Sequence, residues 1–547
     1  MAGNGKQNTP VFKLLTLTHY ALYVYHESLA KRTIKFSKCM KNPSLNFTIP
    51  SWCILVFFSL FAFLTIGVGL HFKFGFMEEF GIHHHVDTSH AMTVNGVNLW
   101  FLYLLATGGR PIAALVYLVV QKLSPYTSLD TLVVYRTIGL IGLVLVAFAM
   151  HLELKRNAFS LFQATTIPLL ALVSPAFYVH VIQGHIFIQP YAALLSYFGY
   201  LVLVKNFKIL AKYRYWNWLV AFGLFFIAVN TYQPSAMFVS VFMAIYLLAG
   251  KESFSHKLKK IVLISVIMFL VLVTSYILLF SITYLFKGDL RRAVLSWDIF
   301  DRLSWFLSAP LSITSASIYP YINWISPILA LASLAIVTFF NRSLQNSFQR
   351  IIFFFVLIGL IFFAYLPHLV STETELLHRT MLPLSALLIF FMSTAFFKAT
   401  SRLCKVSKTM PQVIYVLFIC VSAYLAQDRL IAQMGLPLSI ETAYLLKQLR
   451  HFNNKDFDNI VVIRNSAYPW QPLTYEWKTS GEIGRTNDHN FAISQGVTSA
   501  LKENFPNLPS KDLPIKVVSA GGAKKETTDK TFLIDMREPY ALIKETF

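Results

Sequence analysis

The sequence predicts an all-α, polytopic membrane bundle with a small α/β domain at its C-terminal end, and three observations carry that reading. Of 547 residues, 56% are hydrophobic and 13% charged, about half the charged fraction of a soluble domain, and the mean hydropathy is +0.56. The apolar residues gather in runs such as 51–70, 261–286 and 351–369. A run of about 20 apolar residues crosses the hydrocarbon core as a helix, because a lone segment can satisfy its own backbone there in no other way. The basic residues, 47 Lys and Arg against 26 Asp and Glu, fall in short blocks between those runs, as cytoplasmic loops do. Their dispersion excludes a nucleic-acid interface, which needs a contiguous basic face.

In chain order, residues 1–50 form a basic leader with Lys6, Lys13, Lys31, Arg32, Lys35, Lys38 and Lys41 against one acid, Glu27, which places it inside. Within it, residues 11–29 read either as an amphipathic helix on the membrane surface or as a frayed leader. The first apolar run begins only after this leader and is expected to stay as an anchor. Spans are expected at 51–70, 131–150, 161–179, 186–204, 216–230, 233–250, 261–286, 321–340, 351–370, 381–397 and 411–427. Counted alternately, the inside connections hold Lys155 and Arg156, then Lys205 to Arg214, Lys251 to Lys260, Arg342 and Arg350, and Lys398 to Lys408. This parity requires that residues 97–121 do not cross. Gly108-Gly109-Arg110-Pro111 breaks that stretch, a charge is costly at mid-bilayer, and Pro removes a helix hydrogen bond. The stretch therefore reads as two short helices lying on the outer surface. Cys39, Cys53, Cys404 and Cys420 all fall in spans or on the basic side, so no disulfide is expected.

The bundle, residues 51–428, gives way to a more polar region over 429–547. There 442–452 has helical spacing, while 459–463 and 531–534 read as strands. The region is long enough for its own core and falls outside by parity.

The outer connections then collect the ionisable residues. Glu78 and Glu79 follow the first helix, where a carboxylate above an apolar floor is suited to general-base work, its pKa raised by partial desolvation; two solvated loop acids would look the same. His83, His84, His85, Asp87 and His90 are of metal-ligating type, but adjacent histidines point apart and no HExxH spacing occurs, so a polar loop is preferred and no metal site is assigned. Arg110, in apolar surroundings, and Arg379 are candidate phosphate ligands through their planar forks, with Arg291 and Arg292 as weaker ones. Glu373, Glu375, His378 and Arg379 crowd one loop and could line a sugar or phosphate pocket. Tyr232 and Gln233 sit at a polar helix junction, either bonding a sugar or capping backbone.

With these residues in place, the arrangement resembles the GT-C class of membrane glycosyltransferases over roughly residues 50–430. Glu78 and Glu79 occupy the place of its acidic motif, and 97–121 resembles its surface-lying segment. More specifically, Asn230-Thr231-Tyr232-Gln233-Pro234-Ser235-Ala236 is similar to the Tyr-Gln element of the bacterial serotype-converting O-antigen glucosyltransferases. The acidic pair is Glu-Glu where Asp is common, which leaves open the identity of the base and the use of a divalent cation, Mg or Mn.

The resemblance implies a bacterial inner-membrane hexosyltransferase, N-terminus inside and C-terminal domain outside. It implies a polyprenyl-phosphate-sugar donor with its phosphate near Arg110 or Arg379, and a surface glycan acceptor such as O-antigen. Tyr232, Gln233, Asp87, Glu373, Glu375 and His378 would lie around sugar or acceptor. An acceptor hydroxyl activated by Glu78 or Glu79 would attack with inversion. Surrounding membrane lipid and proteins that make and flip the donor are the implied partners. Two other classes stay open: a transporter or flippase, which needs ionisable residues deep in several spans, and a glycan O-acyltransferase, which needs a catalytic His or Ser at a membrane portal, with His180 or His185 as candidates.

Overall fold

The computed structural model describes residues 50–72, 93–94, 97–98, 105–123, 129–205, 214–248, 252–285, 294–318, 326–341, 344, 346–372, 376–403, 409–450, 452, 456–464, 497, 500–501, 504, 514–519, 528 and 530–536. The leader, apart from Pro50, lies outside them. The described chain is mostly helical. Five of its helices are long and apolar enough to cross a membrane, or six if the pair Leu161–Leu172 and Pro175–Ile182, bent by 55°, is one span.

Each expected apolar run coincides with helix. In order these are α1 (Ser51–Thr65), α2 (Pro111–Leu123), α3 (Leu129–Arg156), α4 (Leu161–Leu172), α5 (Pro175–Ile182), α6 (Gln189–Lys205) and α7 (Arg214–Thr231). There follow α8 (Gln233–Ala236), α9 (Val239–Leu248), α10 (Phe254–Leu285), α11 (Ile299–Ser308), α12 (Pro310–Ile318) and α13 (Ser326–Phe339). The series ends with α14 (Ser347–Ala364), α15 (Leu366–Val370), α16 (Leu382–Leu403), α17 (Met410–Asp428) and α18 (Leu436–Leu449). A capping box starts α4: Ser160 Oγ accepts from Gln163 N at 3.2 Å and Gln163 Oε1 from Ser160 N at 3.3 Å. Ser174-Pro175 restarts the helix as α5, since Pro suits a first helical turn but cannot continue the preceding one. At Gly139 of α3 a Cβ would stand 2.7 Å from the His180 carbonyl oxygen, so only glycine permits that approach.

The expected pair of short helices over 97–121 is realised differently. Val97–Asn98 (β2) pairs with Thr93–Val94 (β1) in antiparallel register. Asn95-Gly96, the dipeptide that most favours a two-residue hairpin loop, separates them in sequence. After a helical turn at 105–107 and the bend at Gly108-Gly109, α2 runs from Pro111.

Hydrogen bonds tie several of the described connections to one another. Lys260 Nζ donates to Val204 O at 3.3 Å and Lys398 Nζ to Val337 O at 3.4 Å. Ser296 N donates to Val370 O at 2.9 Å and Thr372 N to Val294 O at 2.8 Å, and Arg379 Nη1 donates to Gln183 Oε1 at 3.2 Å.

Near the basic end, Glu153 of α3 is 3% exposed. It accepts from Tyr200 Oη at 2.8 Å, Asn157 Nδ2 at 2.8 Å and Arg156 Nη1 at 3.3 Å. Glu252 sits in a second cluster there. Burial raises its pKa, but the Tyr246 hydroxyl, Lys260 and His256 outweigh that and hold the carboxyl below its usual range. Removing one member of a buried charged network strands the rest at a cost of roughly 3–5 kcal/mol. Glu153→Ala is therefore expected to unfold at markedly lower temperature in detergent, and Glu153→Gln to lose less; a scanning thermal-unfolding measurement checks this.

At the C-terminal end three parallel strands, β3 (Asn459–Arg464), β4 (Ile515–Ser519) and β5 (Thr531–Asp535), form a sheet in the order β4-β3-β5. Leu445 and Leu449 of α18 pack with Phe452, Ile460, Val462 and Ile534 in a core of their own. The two expected strands correspond to β3 and β5, and the expected helix starts earlier, at Leu436. Strand β4 has no counterpart in the sequence reading.

Candidate functional site

Two breaks in helical structure, far apart in sequence, meet in space. At the first, Gly109 adopts φ +81°, a left-handed conformation that glycine takes without penalty. Arg110 N donates to Leu105 O at 2.8 Å, and Arg110 O accepts from Ala114 N at 3.0 Å, so Arg110 caps the start of α2. Pro111 follows in the position where its missing N–H costs nothing. At the second break, Tyr232 is extended (φ −163°, ψ 106°) between α7 and α8. Pro234, in the first turn of α8, supports the restart.

Tyr232 and Gln233 engage Gly109 and Arg110 residue by residue. Gln233 Nε2 donates to the Gly109 carbonyl, and the Arg110 guanidinium lies over the Tyr232 ring, 4.7 Å from its centroid, a cation–π arrangement. The guanidinium and the positive end of the α2 dipole thus stand together, which favours an anion. Beside them Asn230 Nδ2 donates to Ser275 Oγ at 2.8 Å, fastening α7 to α10. A Cβ on Gly109 would stand 2.5 Å from Gln233 Nε2. Gly109→Ala adds that clash to a left-handed backbone costing about 1–3 kcal/mol for a non-glycine residue. A lower unfolding temperature is expected, measured by thermal unfolding in detergent.

The two breaks border a cavity of about 380 Å³. Arg110 and Gln233 stand at one end, Phe269, Val273 and Ile277 of α10 form one wall, and Leu295 and His368 belong to the other. Phe269 and Ile277 are 59% and 60% exposed, so the cavity opens through the apolar flank of α10. The His368 wall is braced: Arg302 Nη2 donates to the His368 carbonyl, and the His368 ring stacks on Tyr365 at 5.1 Å. A chamber of this kind, apolar along its length and cationic at one end, suits an amphipathic anion.

The other expected residues are distributed as follows. Arg379 and His378 are buried in a short 3₁₀ turn (His378–Met381) that packs against α5 and α8. Arg379 bonds Gln183 and is not among the residues lining the cavity. Glu78, Glu79, Asp87, Glu373 and Glu375 lie outside the described residues, as do the His83 to His90 cluster, Arg291 and Arg292. His180 is fully buried, its ring nitrogens each 3.2 Å from Phe177 O and Gln189 Oε1. It therefore does not stand at a portal as an acyltransferase would need. Among the described residues no group of three or more His, Cys, Asp or Glu is arranged to hold a metal. His368 and Ser275 were not singled out from the sequence. His368 was hidden inside an expected span, with Pro367 beside it as the only local signal of a break.

No protein-family model matches this chain, and no curated protein matches it significantly.

Proposed function

We propose that the chain is a GT-C-type membrane glycosyltransferase that moves a hexose from a polyprenyl-phosphate carrier to a surface glycan such as O-antigen. One observation carries the reading: a cavity lined by the apolar flank of α10 and by Arg110, whose guanidinium lies over the Tyr232 ring. A polyprenyl chain matches the apolar wall and its phosphate the guanidinium. Arg379, buried on the turn packed against α8 and bonded to Gln183, does not line this cavity, so the donor phosphate is assigned to Arg110. Tyr232 belongs to the Arg110 platform, and Gln233, held on Gly109, sets its position.

In this scheme Glu78 or Glu79 takes the proton from an acceptor hydroxyl. The oxygen attacks the anomeric carbon from the face opposite the phosphate, the C–O bond to the carrier breaks, and polyprenyl phosphate leaves with its charge balanced by Arg110. One displacement inverts the anomeric centre. Asp87, Glu373, Glu375 and His378 are assigned to sugar and acceptor. The charge alternation supports eleven crossings with these groups and the C-terminal sheet outside the bacterial inner membrane.

A polyprenyl phosphate carrying a diazirine in its chain tests the cavity assignment. Crosslinks are expected on α10 between Phe269 and Ile277, lost when unmodified polyprenyl phosphate competes. Labelling spread evenly over the lipid-facing helices, unaffected by competitor, would contradict it.

A further inference from the structure

Helix α11 presents three different faces. At 100° per residue, Arg302 and Phe306 fall together and are buried. Ile299, Phe300 and Leu307 form the next face, exposed by 67%, 85% and 53%. Asp301, Ser304 and Ser308 form the third, also exposed. Just before the helix, Trp297 is 89% exposed. One side therefore packs on protein, one is apolar and uncovered, and one is polar.

The position of α11 says what covers the apolar face. Its buried side is tied to the chain just beyond a membrane-length helix, since Arg302 bonds the His368 carbonyl and α14, a candidate span, ends at Ala364. The segment before it is pinned to the same place, Ser296 N on Val370 O and Thr372 N on Val294 O. Leu295 of that segment lines the cavity together with Val273 and Ile277 of α10. By these contacts α11 stands where a candidate span ends, beside the exposed apolar flank of α10. Helices with one apolar and one polar exposed side lie in the headgroup boundary, where Trp and other aromatics collect.

We infer that α11 is an interfacial helix, with Trp297, Ile299, Phe300 and Leu307 inserted into the leaflet on which the cavity opens. Asp301, Ser304 and Ser308 face water. Through Arg302 the same helix holds the His368 wall, so the bilayer surface sets the height of the cavity mouth. The partner is lipid, and the inference holds whether or not the cavity serves sugar transfer.

The test is a nitroxide scan of the full chain in anionic-lipid nanodiscs, with Cys39, Cys53, Cys404 and Cys420 replaced by Ser. Labels go on Phe300→Cys, Leu307→Cys, Ser304→Cys and Ser308→Cys, with Phe269→Cys as the lipid reference. Labels at positions 300 and 307 are expected to collide with oxygen several-fold more than with a water-soluble nickel chelate, as at 269, and the ratio to reverse at 304 and 308. Nickel access at 300 and 307 equal to that at 304 would overturn the inference. So would exclusion of both reagents there, which means a second copy or another protein covers the face. In the otherwise unaltered chain, Trp297→Phe is expected to reduce the emission quenched by brominated phospholipid. An unchanged quenched fraction would count equally against it.

Discussion

Arg110→Ala is expected to weaken polyprenyl phosphate binding by between roughly 30-fold and a few thousand-fold, since truncating one partner of a desolvated charge pair costs about 2–5 kcal/mol and each 1.4 kcal/mol is tenfold. The effect is large because the guanidinium is held on the Tyr232 ring beside a mostly apolar cavity lining, where water screens less than in bulk. Arg110→Lys keeps the charge but loses the planar fork and the stacking, so it should recover only part of the affinity. Titration of nanodisc-embedded protein with polyprenyl phosphate, read by native mass spectrometry, checks both variants. Affinity unchanged in Arg110→Ala would remove the phosphate assignment.

The second large effect concerns the acidic pair. A positioned general base contributes about 10²–10⁴-fold, and Glu→Gln keeps the shape of the side chain while removing its ability to take a proton. One of Glu78→Gln and Glu79→Gln is expected to lower kcat by that order with KM for the donor little changed, and the other to retain most activity. That split separates chemistry from binding. Full activity in both variants would sink the base assignment while leaving the cavity untouched.

The helices were readable because spanning segments announce themselves by length and apolarity, and each expected run coincides with helix. The hairpin at 93–98 was legible too, through Asn95-Gly96, but the surrounding apolar run drew the reading toward helix. Strand β4, Ile-Lys-Val-Val-Ser over Ile515–Ser519, escaped because a short parallel strand lacks clean alternation. The candidate site was half legible. Gly108-Gly109-Arg110-Pro111 and Tyr232-Gln233-Pro234 each break a helix by local chemistry visible in the sequence. That they close on each other depends on the packing of α2 against α7 and α8 against α15, and no local signal encodes contact between residues so distant. His368 was unreadable for the same reason: its role comes from the wall it joins.

We propose that a lipid-anchored sugar donor sits in this cavity and gives up its sugar there. The most direct measurement uses the purified chain in proteoliposomes with a polyprenyl-phosphate hexose labelled in the sugar and a surface glycan on the side the cavity faces. The account predicts that label leaves the carrier and appears on the glycan with inverted anomeric configuration, and that Arg110→Ala abolishes this. Label that crosses the bilayer still attached to its carrier, with none on the glycan, would contradict it and mark the protein as a transporter.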